Sequence, residues 1–480
     1  MAVVTAGAAT LRLTGLATPT GLVFDEIFYA RNACRFVVNT AQCGIDDLVS
    51  GAHPPLGNWL IGIGIRLFGY DEFGWRIASA VAGTISVAIL YVLMRRLLAG
   101  RVSAAAATVG AAAAASLLAI DFLHLVQSRV AMLDSFVTMF VIAVVLFAVL
   151  DGGRERGARG EDLGAPRWLR RLSLGRPWRL AAGLALGSAI AVKWSGGYVA
   201  IGVVVLLVLW EMTAEPERDR TGGWRAALGG AFRREVLPSL VLLGLVPLVV
   251  YVASYAGRVD GELLALPWRE GSAWRGILEH QLAMLRFHLG LGGDHPYESA
   301  PWSWLLLRRP VAYSFASGPG GYREILAIGN PLTWWPGLIA LAVVGVRSVR
   351  AGAGLARLEI VLLAAAVSTY LPWLILSGSR SQVFLWYLLP TIPFLCGALG
   401  LLAALAWSSL AGRVAIGLAA TAVAASFVFF HPILTAAPMT PDEWRSRIWF
   451  SDCARPGAPT LTLPDDEINQ GPPPGGWCWI

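Results

Sequence analysis

Long apolar runs separated by short, arginine-bearing polar stretches dominate the pattern of this chain. Runs of about 18 or more apolar residues read as transmembrane helices, since roughly 20 residues at helical rise cross the hydrocarbon core. Val102–Phe122, Ala131–Leu150 and Val236–Tyr255 are clear cases. In all, about eleven spans are expected, near 1–20, 77–98, 102–122, 131–150, 180–195, 196–212, 236–256, 334–346, 358–376, 383–406 and 414–434. The first is the weakest, because Arg12 interrupts it. Its shortness implies either a start upstream of Met1 or a partly missing helix. The stretch from Ser50 to Gly69 has helical apolar spacing but is too interrupted to span, so it predicts a helix on the membrane surface opened by the Pro54–Pro55 turn.

Composition supports an all-α integral membrane protein: 56% of the residues are apolar and only 14% charged. A formal charge of +7 would suit nucleic acid or anionic lipid in a soluble protein. Here the arginines follow the loops. Segments 94–101, 151–179, 213–235, 347–357 and 407–413 carry 20 arginines in 78 residues, which marks them as cytoplasmic. The N-terminus then lies inside and the C-terminal tail outside. Nucleic acid is not an expected partner.

Three segments on the outer side are long, 21–76, 257–333 and 435–480, which favours an external active site over a transporter. The chain therefore divides into a polytopic domain, 1–434, and an outer tail, 435–480, rich in proline and glycine. Cys34 and Cys43 share the first outer segment and Cys453 and Cys478 share the tail. In an oxidising compartment these four allow three disulfide pairings, of which the local pairs are the economical choice.

Candidate chemistry begins with "LVFDEIFYARNA", where Asp25 and Glu26 sit just beyond the first span. A carboxylate there has the chemistry to take a proton from an attacking hydroxyl. His53 tips the proline turn of "SGAHPPLGN", where a cap or surface histidine is the plainer reading. Four cations fall at the outer ends of spans: Arg76, Arg129, Lys193 and Arg380. A charge at the centre of a membrane helix costs roughly 2.5–3.5 kcal/mol on insertion scales, so such residues face a polar cavity or snorkel to the headgroups. Lys193 is the only lysine in a chain whose other basic residues are all arginine. It lies in "SAIAVKWSGG", between two apolar runs turned by Gly196 and Gly197. Cations converging on one leaflet fit the phosphate of a lipid carrier, whose charge rests at that depth. With an acid pair opposite, the set describes group transfer from a lipid phosphate.

These segments resemble the bacterial protein O-mannosyltransferases, the polyprenyl-phosphate-mannose-dependent enzymes of the GT-C superfamily. The resemblance runs in order through "FDEIFYA", "HPPLGNWLI", "SRVAMLDSF", "AVKWSG", "HPYESAPWSWLLLRRPVAYSF", "ILAIGNPLTWW", "SRSQVFLWYLLPTIPF" and "PILTAAPMTPDEWRSRIWF". It implies a GT-C-type bundle and an inverting transfer of mannose to serine or threonine hydroxyls of exported proteins. Asp25 then matches the general base, with Glu26 beside it contacting the acceptor or supporting the base. Arg76, Arg129, Lys193 and Arg380 fall on positions suited to the donor phosphate, with His53 lining the donor site. Asp134 is expected only to orient a partner on its helix. The resemblance implies no metal and no cofactor, the lipid-linked donor being a substrate. The implied partners are polyprenyl-phosphate-mannose, secreted acceptor proteins, membrane lipid and, as a further expectation, the protein export channel. Two other readings compete: a lipid-phosphate-dependent transferase with a lipid or glycan acceptor, and a transporter of a lipid-linked sugar.

Overall fold

The computed structural model describes residues 1–38, 43, 51–157, 176–214, 238–256, 258–259, 262–263, 273–291, 297–318, 320–350, 357–376 and 382–449. Sixteen helices carry the architecture: α1 (Ala2–Leu13), α2 (Glu26–Val37), α3 (Leu56–Phe68), α4 (Glu72–Leu98), α5 (Ala104–Ala119), α6 (Phe122–Arg129), α7 (Leu133–Gly157), α8 (Pro177–Val192), α9 (Val199–Ala214), α10 (Val246–Ala253), α11 (Ala273–Gly290), α12 (Pro331–Arg350), α13 (Arg357–Leu376), α14 (Ile392–Ala406), α15 (Leu410–Leu434) and α16 (Pro441–Arg445). Two antiparallel hairpins accompany them, β1 (Arg258–Val259) with β2 (Glu262–Leu263), and β3 (Val311–Gly318) with β4 (Gly321–Ala327).

The chain is a multi-pass membrane protein, but the expected eleven crossings are not matched by eleven long helices. Among the described residues six helices are long and apolar enough to span alone, and α5 with α6 makes a seventh bent by 56°. Helices also occupy the other expected spans, at Ala2–Leu13, Pro177–Val192, Trp194–Trp210 and Pro238–Ala253, yet each is only 10–17 residues long. The stretch expected to lie at the membrane surface forms α3, of 13 residues, and its N-cap is Pro55.

Local sequence accounts for the helix ends. The Asp71 carboxylate accepts from the Gly74 amide at the start of α4, and Arg95 and Arg96 face the negative end of its dipole. Ser103 and Asp121 cap α5 and α6 in the same way. Small residues set the packing inside the bundle. A Cβ on Gly110 would lie 2.6 Å from the Gly400 carbonyl oxygen, and one on Gly400 2.5 Å from that of Gly110, so α5 and α14 meet backbone to backbone. By contrast α15 leaves Leu410, Val414, Leu418 and Val428 exposed, as a helix against lipid would.

Two elements apart from the long helices bear on the site. Helix α11 presents Leu278, Leu282 and Leu289 outward and buries His280 and Met284. His280 and His288 reach back from it to the Gly51 and Ala52 carbonyls, at 2.8 and 2.9 Å, and so hold the turn that carries His53. Burial drives the His280 imidazole down to about 4, which keeps it neutral. The β3–β4 hairpin is tied to the chain after α15, where Tyr322 and Met439 exchange backbone hydrogen bonds of 2.7 and 2.9 Å. The expected local disulfide forms between Cys34 and Cys43. Cys453 and Cys478 lie outside the described residues, as does the tail from 450 onward.

Candidate active site

The turn that enters α2 separates its two acids. Glu26 is fully buried, and its carboxylate accepts four hydrogen bonds. Oε1 accepts from Arg76 Nε at 2.8 Å and from the Ala131 amide at 2.9 Å. Oε2 accepts from Arg76 Nη2 and from the Val23 amide, both at 2.9 Å. Arg76 gives its remaining donors to the carbonyls of Leu16 (3.2 Å), Pro19 (2.8 Å) and Gly21 (3.0 Å). A guanidinium has five N–H donors and all five are engaged. Arg76 is therefore committed to Glu26 and to the chain leaving α1, with no donor left for a lipid phosphate. Glu26 is likewise closed to an acceptor.

Asp25, one residue earlier, is in no ion pair within salt-bridge distance among the described residues. It keeps part of its surface accessible. It accepts a hydrogen bond from the Tyr29 hydroxyl, one helical turn on. Burial pushes its carboxyl up to about 6; Lys193 opposes that rise, Asp134 adds to it, and the Tyr29 hydrogen bond pulls it down. Asp25 and Lys193, far apart in the chain, thus share one electrostatic neighbourhood.

Lys193 follows the last residue of α8 in extended backbone, with φ −157° and ψ 133°. A short 3-10 helix, Trp194–Tyr198, leads on to α9. Gly196 lets the turn close: a Cβ there would sit 2.5 Å from the Ala189 carbonyl oxygen. The buried Lys193 ammonium donates to both oxygens of Asp134, at 3.1 and 3.0 Å, and stands 4.5 Å above the centre of the Tyr387 ring. Two of its three N–H donors are used, which leaves one for an anion.

Aromatic rings close the site around these groups. Phe24 lies flat on Tyr313, with ring centres 4.3 Å apart and planes 5° from parallel, and edge-on to Trp386 at 5.1 Å. Tyr313 comes from β3, and its hydroxyl accepts a hydrogen bond from Gln127 of α6. Phe24 has φ 50°, in the left-handed region. A bulky residue there stores strain of about 1–3 kcal/mol that its surroundings must offset.

The other expected site residues are placed as follows. The His53 ring is 5.9 Å from that of Tyr29 and 5.5 Å from that of His288, so it borders the Asp25 side of the site. Arg129 grips the end of α1 instead, donating to the carbonyls of Leu11, Arg12 and Thr14 at 3.0, 3.0 and 2.7 Å and of Gly15 at 2.9 Å. It lines a cavity of about 430 Å³ with Arg323 and His431, to which neither Asp25 nor Lys193 contributes. Arg380 lies outside the described residues. The three described cations of the four expected around one phosphate therefore divide: Lys193 lies near Asp25, while Arg76 and Arg129 fasten backbone near α1.

Sequence reasoning left several residues out. Asp134 is expected to orient a partner on its own helix, but its partner is Lys193, which follows α8. Tyr29 carried a usable signal, since it follows Asp25 at the i+4 spacing that shares a helix face. Tyr313, Trp386 and Tyr387 lie in segments that carry the family resemblance, but spacing did not single them out, because their place depends on distant segments meeting.

The sequence matches "Dolichyl-phosphate-mannose-protein mannosyltransferase" over residues 2–257 and "C-terminal four TMM region of protein-O-mannosyltransferase" over residues 273–453. The chain belongs to the protein O-mannosyltransferase family. It is 31% identical to the polyprenol-phosphate-mannose–protein mannosyltransferase of Mycobacterium tuberculosis over 481 residues, 91% of this chain and 87% of that protein. It is 28% identical to the protein of the same name from Corynebacterium glutamicum, covering 94% and 92%. The fold resembles that of the Saccharomyces cerevisiae protein O-mannosyltransferase Pmt1-Pmt2 complex bound to the sugar donor. There the TM-score is 0.69 at 16% identity, with 94% of this chain and 91% of that chain covered.

Proposed function

We propose that this chain transfers a mannosyl group from polyprenyl-phosphate-mannose to serine or threonine hydroxyls of exported proteins. The observation that carries this reading is the Asp25 carboxylate, in no ion pair among the described residues and set beside the Lys193–Asp134 pair. Asp25 accepts the proton of the acceptor hydroxyl while that oxygen bonds to the anomeric carbon of mannose. The bond from that carbon to the phosphate oxygen breaks, and the electron pair leaves with the polyprenyl phosphate. Attack opposite the leaving group inverts the anomeric centre. The free N–H of Lys193 meets the charge that develops on the phosphate, and Asp134 holds the ammonium over Tyr387 in readiness. His53 borders the donor, and Arg380 supplies a second cation to it.

On this reading the site opens to the outer face of the membrane, the N-terminus is cytoplasmic and the C-terminus external. The arginine-rich loops support that orientation. The partners are the lipid donor, the surrounding bilayer, secreted acceptors and the export channel that delivers them.

The test gives purified protein radiolabelled polyprenyl-phosphate-mannose and a peptide rich in serine, threonine and proline. Mannosylated peptide that disappears with Asp25→Asn is expected. Labelled lipid or glycan with unmodified peptide would assign a different acceptor. Donor that crosses the bilayer without transfer would make the protein a transporter.

A further inference from the structure

We propose that Phe24 is the positioning residue of the base, the side chain that fixes the direction of the Asp25 carboxylate. This rests on the assignment of Asp25 as the base. The turn carrying Asp25 is held from two sides. On one side Glu26 is locked by Arg76 and the Ala131 amide. On the other, residue 24 adopts φ 50°, a conformation an aromatic residue does not choose on its own. Locally the Glu26 amide donates to the Val23 carbonyl at 3.0 Å and closes a turn around residues 24 and 25. The side chain of that turn is held in the slot between Tyr313 and Trp386, where the Phe24 ring stacks on one face and meets an edge on another.

The slot is itself braced from three separate segments. Gln127 of α6 donates to the Tyr313 hydroxyl. Phe384 stacks on Trp386, with centres 4.3 Å apart and planes 8° from parallel. Tyr313 and Trp386 meet edge to face at 5.8 Å. A φ in the right-handed or extended region at residue 24 would swing the peptide that leads into Asp25, because that torsion lies immediately before it. The ring thus converts packing among β3, α6 and the segment before α14 into the direction of the carboxylate on the next residue. It also makes base placement depend on the hairpin of the second outer segment.

The experiment measures steady-state transfer for Phe24→Leu, Phe24→Tyr, Asp25→Asn and the double variant Phe24→Leu/Asp25→Asn, each in detergent. Folding is checked by thermal melting and by the intact Cys34–Cys43 bridge. Phe24→Leu keeps an apolar side chain but gives up the flat stack. It is expected to lower kcat by about 10²-fold, the loss typical of a catalytic group misplaced by an ångström, with the donor KM changed less than about threefold. Phe24→Tyr keeps the ring and the activity. Because Phe24 acts through Asp25, the double variant is expected to be no slower than Asp25→Asn alone. Should the double variant fall a further 10²-fold, or Phe24→Leu raise the donor KM with kcat intact, the positioning role is wrong. Full activity in Asp25→Asn would instead remove the base assignment, a separate failure. As a second approach from the other side of the slot, Tyr313→Leu is expected to reproduce the kcat loss and Tyr313→Phe to spare most of it. Equal activity of both Tyr313 variants would overturn the slot as its cause.

Discussion

Two clusters at the entrance to α2 each set one of the adjacent acids near a basic residue, Glu26 at Arg76 and Asp25 near Lys193, and they end differently. Around Glu26 every polar valence is filled: four hydrogen bonds enter the carboxylate and five leave the Arg76 guanidinium, with neither side chain exposed. Around Asp25 the valences are left open. Lys193 is claimed by Asp134 rather than by Asp25, so Asp25 feels a cation without being neutralised by it. A fully satisfied buried pair is rigid and chemically silent, while an incompletely satisfied one has capacity for a substrate. The lesson is that in the adjacent acids of this chain, structure and chemistry are divided between neighbours: Glu26 anchors the turn and Asp25 uses it.

The comparison can be broken most forcefully at Asp25. Asp25→Asn should cost about 10²–10⁴-fold in kcat, the usual contribution of a positioned base, and leave the melting temperature nearly unchanged. A variant that unfolds would place Asp25 with Glu26 among the anchors. Next in size is the sealed pair. Removing one partner of a buried ion pair costs about 3–5 kcal/mol, so Arg76→Met should reduce yield and melting temperature before any change in donor affinity can be read. A well-folded Arg76→Met with only a weakened donor KM would return Arg76 to the phosphate.

Lys193→Met sharpens the contrast at smaller scale. Charged hydrogen bonds contribute roughly 1.5–3 kcal/mol, and a rise of about 10- to 100-fold in donor KM is expected. Pairing it with Asp134→Asn should recover stability, by removing the stranded carboxylate, but not KM. If KM recovered as well, the lysine would serve only its aspartate.

A further consequence is a pH profile. The Asp25 carboxyl is raised to about 6, so kcat/KM should fall tenfold per unit below that point and level off above it. The same shift has the opposite sign for stability. A carboxyl that binds its proton more tightly when folded stabilises below its ordinary range near 4 and loses that contribution as pH rises through 6. Asp25→Asn should therefore remove the kinetic limb and stabilise slightly at neutral pH. The smallest effect is expected at Glu324, buried on β4 where Trp444 of α16 donates to it. Burial pushes this carboxyl up to about 8, with the Trp444 hydrogen bond opposing. Its stabilising contribution is complete below the ordinary glutamate range and lost as pH rises through about 8. Glu324→Gln should accordingly raise the melting temperature progressively as pH rises from the ordinary glutamate range to about 8, and an equal rise at acid pH would refute the assignment.

Much of this was legible along the chain, for reasons that differ by residue. The positions of the helices followed from apolar run length, because lipid leaves a buried backbone few alternatives to a helix. Their lengths did not follow: the α5–α6 segment bends by 56° at Ile120–Asp121, where the Asp121 carboxylate caps a new helix, although the apolar pattern continues across. The unusual Lys193 was visible as a charge that hydrocarbon would not tolerate without a partner. The identity of that partner was not, since Asp134 lies on another helix. The arginines misled in a consistent way. Arg76 and Arg129 stand at outer ends of spans as a phosphate ligand would, yet each serves carbonyls of the α1 exit.

What sequence by itself determined is the inventory: a membrane bundle, an acid pair beyond the first helix, one buried lysine, and a family pattern kept in order from end to end. What only the tertiary structure decided is the pairing. Run length and spacing act locally, through helical rise and the cost of polar groups in lipid. Which arginine a carboxylate meets, and which carboxylate is left unmet, depends on side chains brought together from segments tens to hundreds of residues apart.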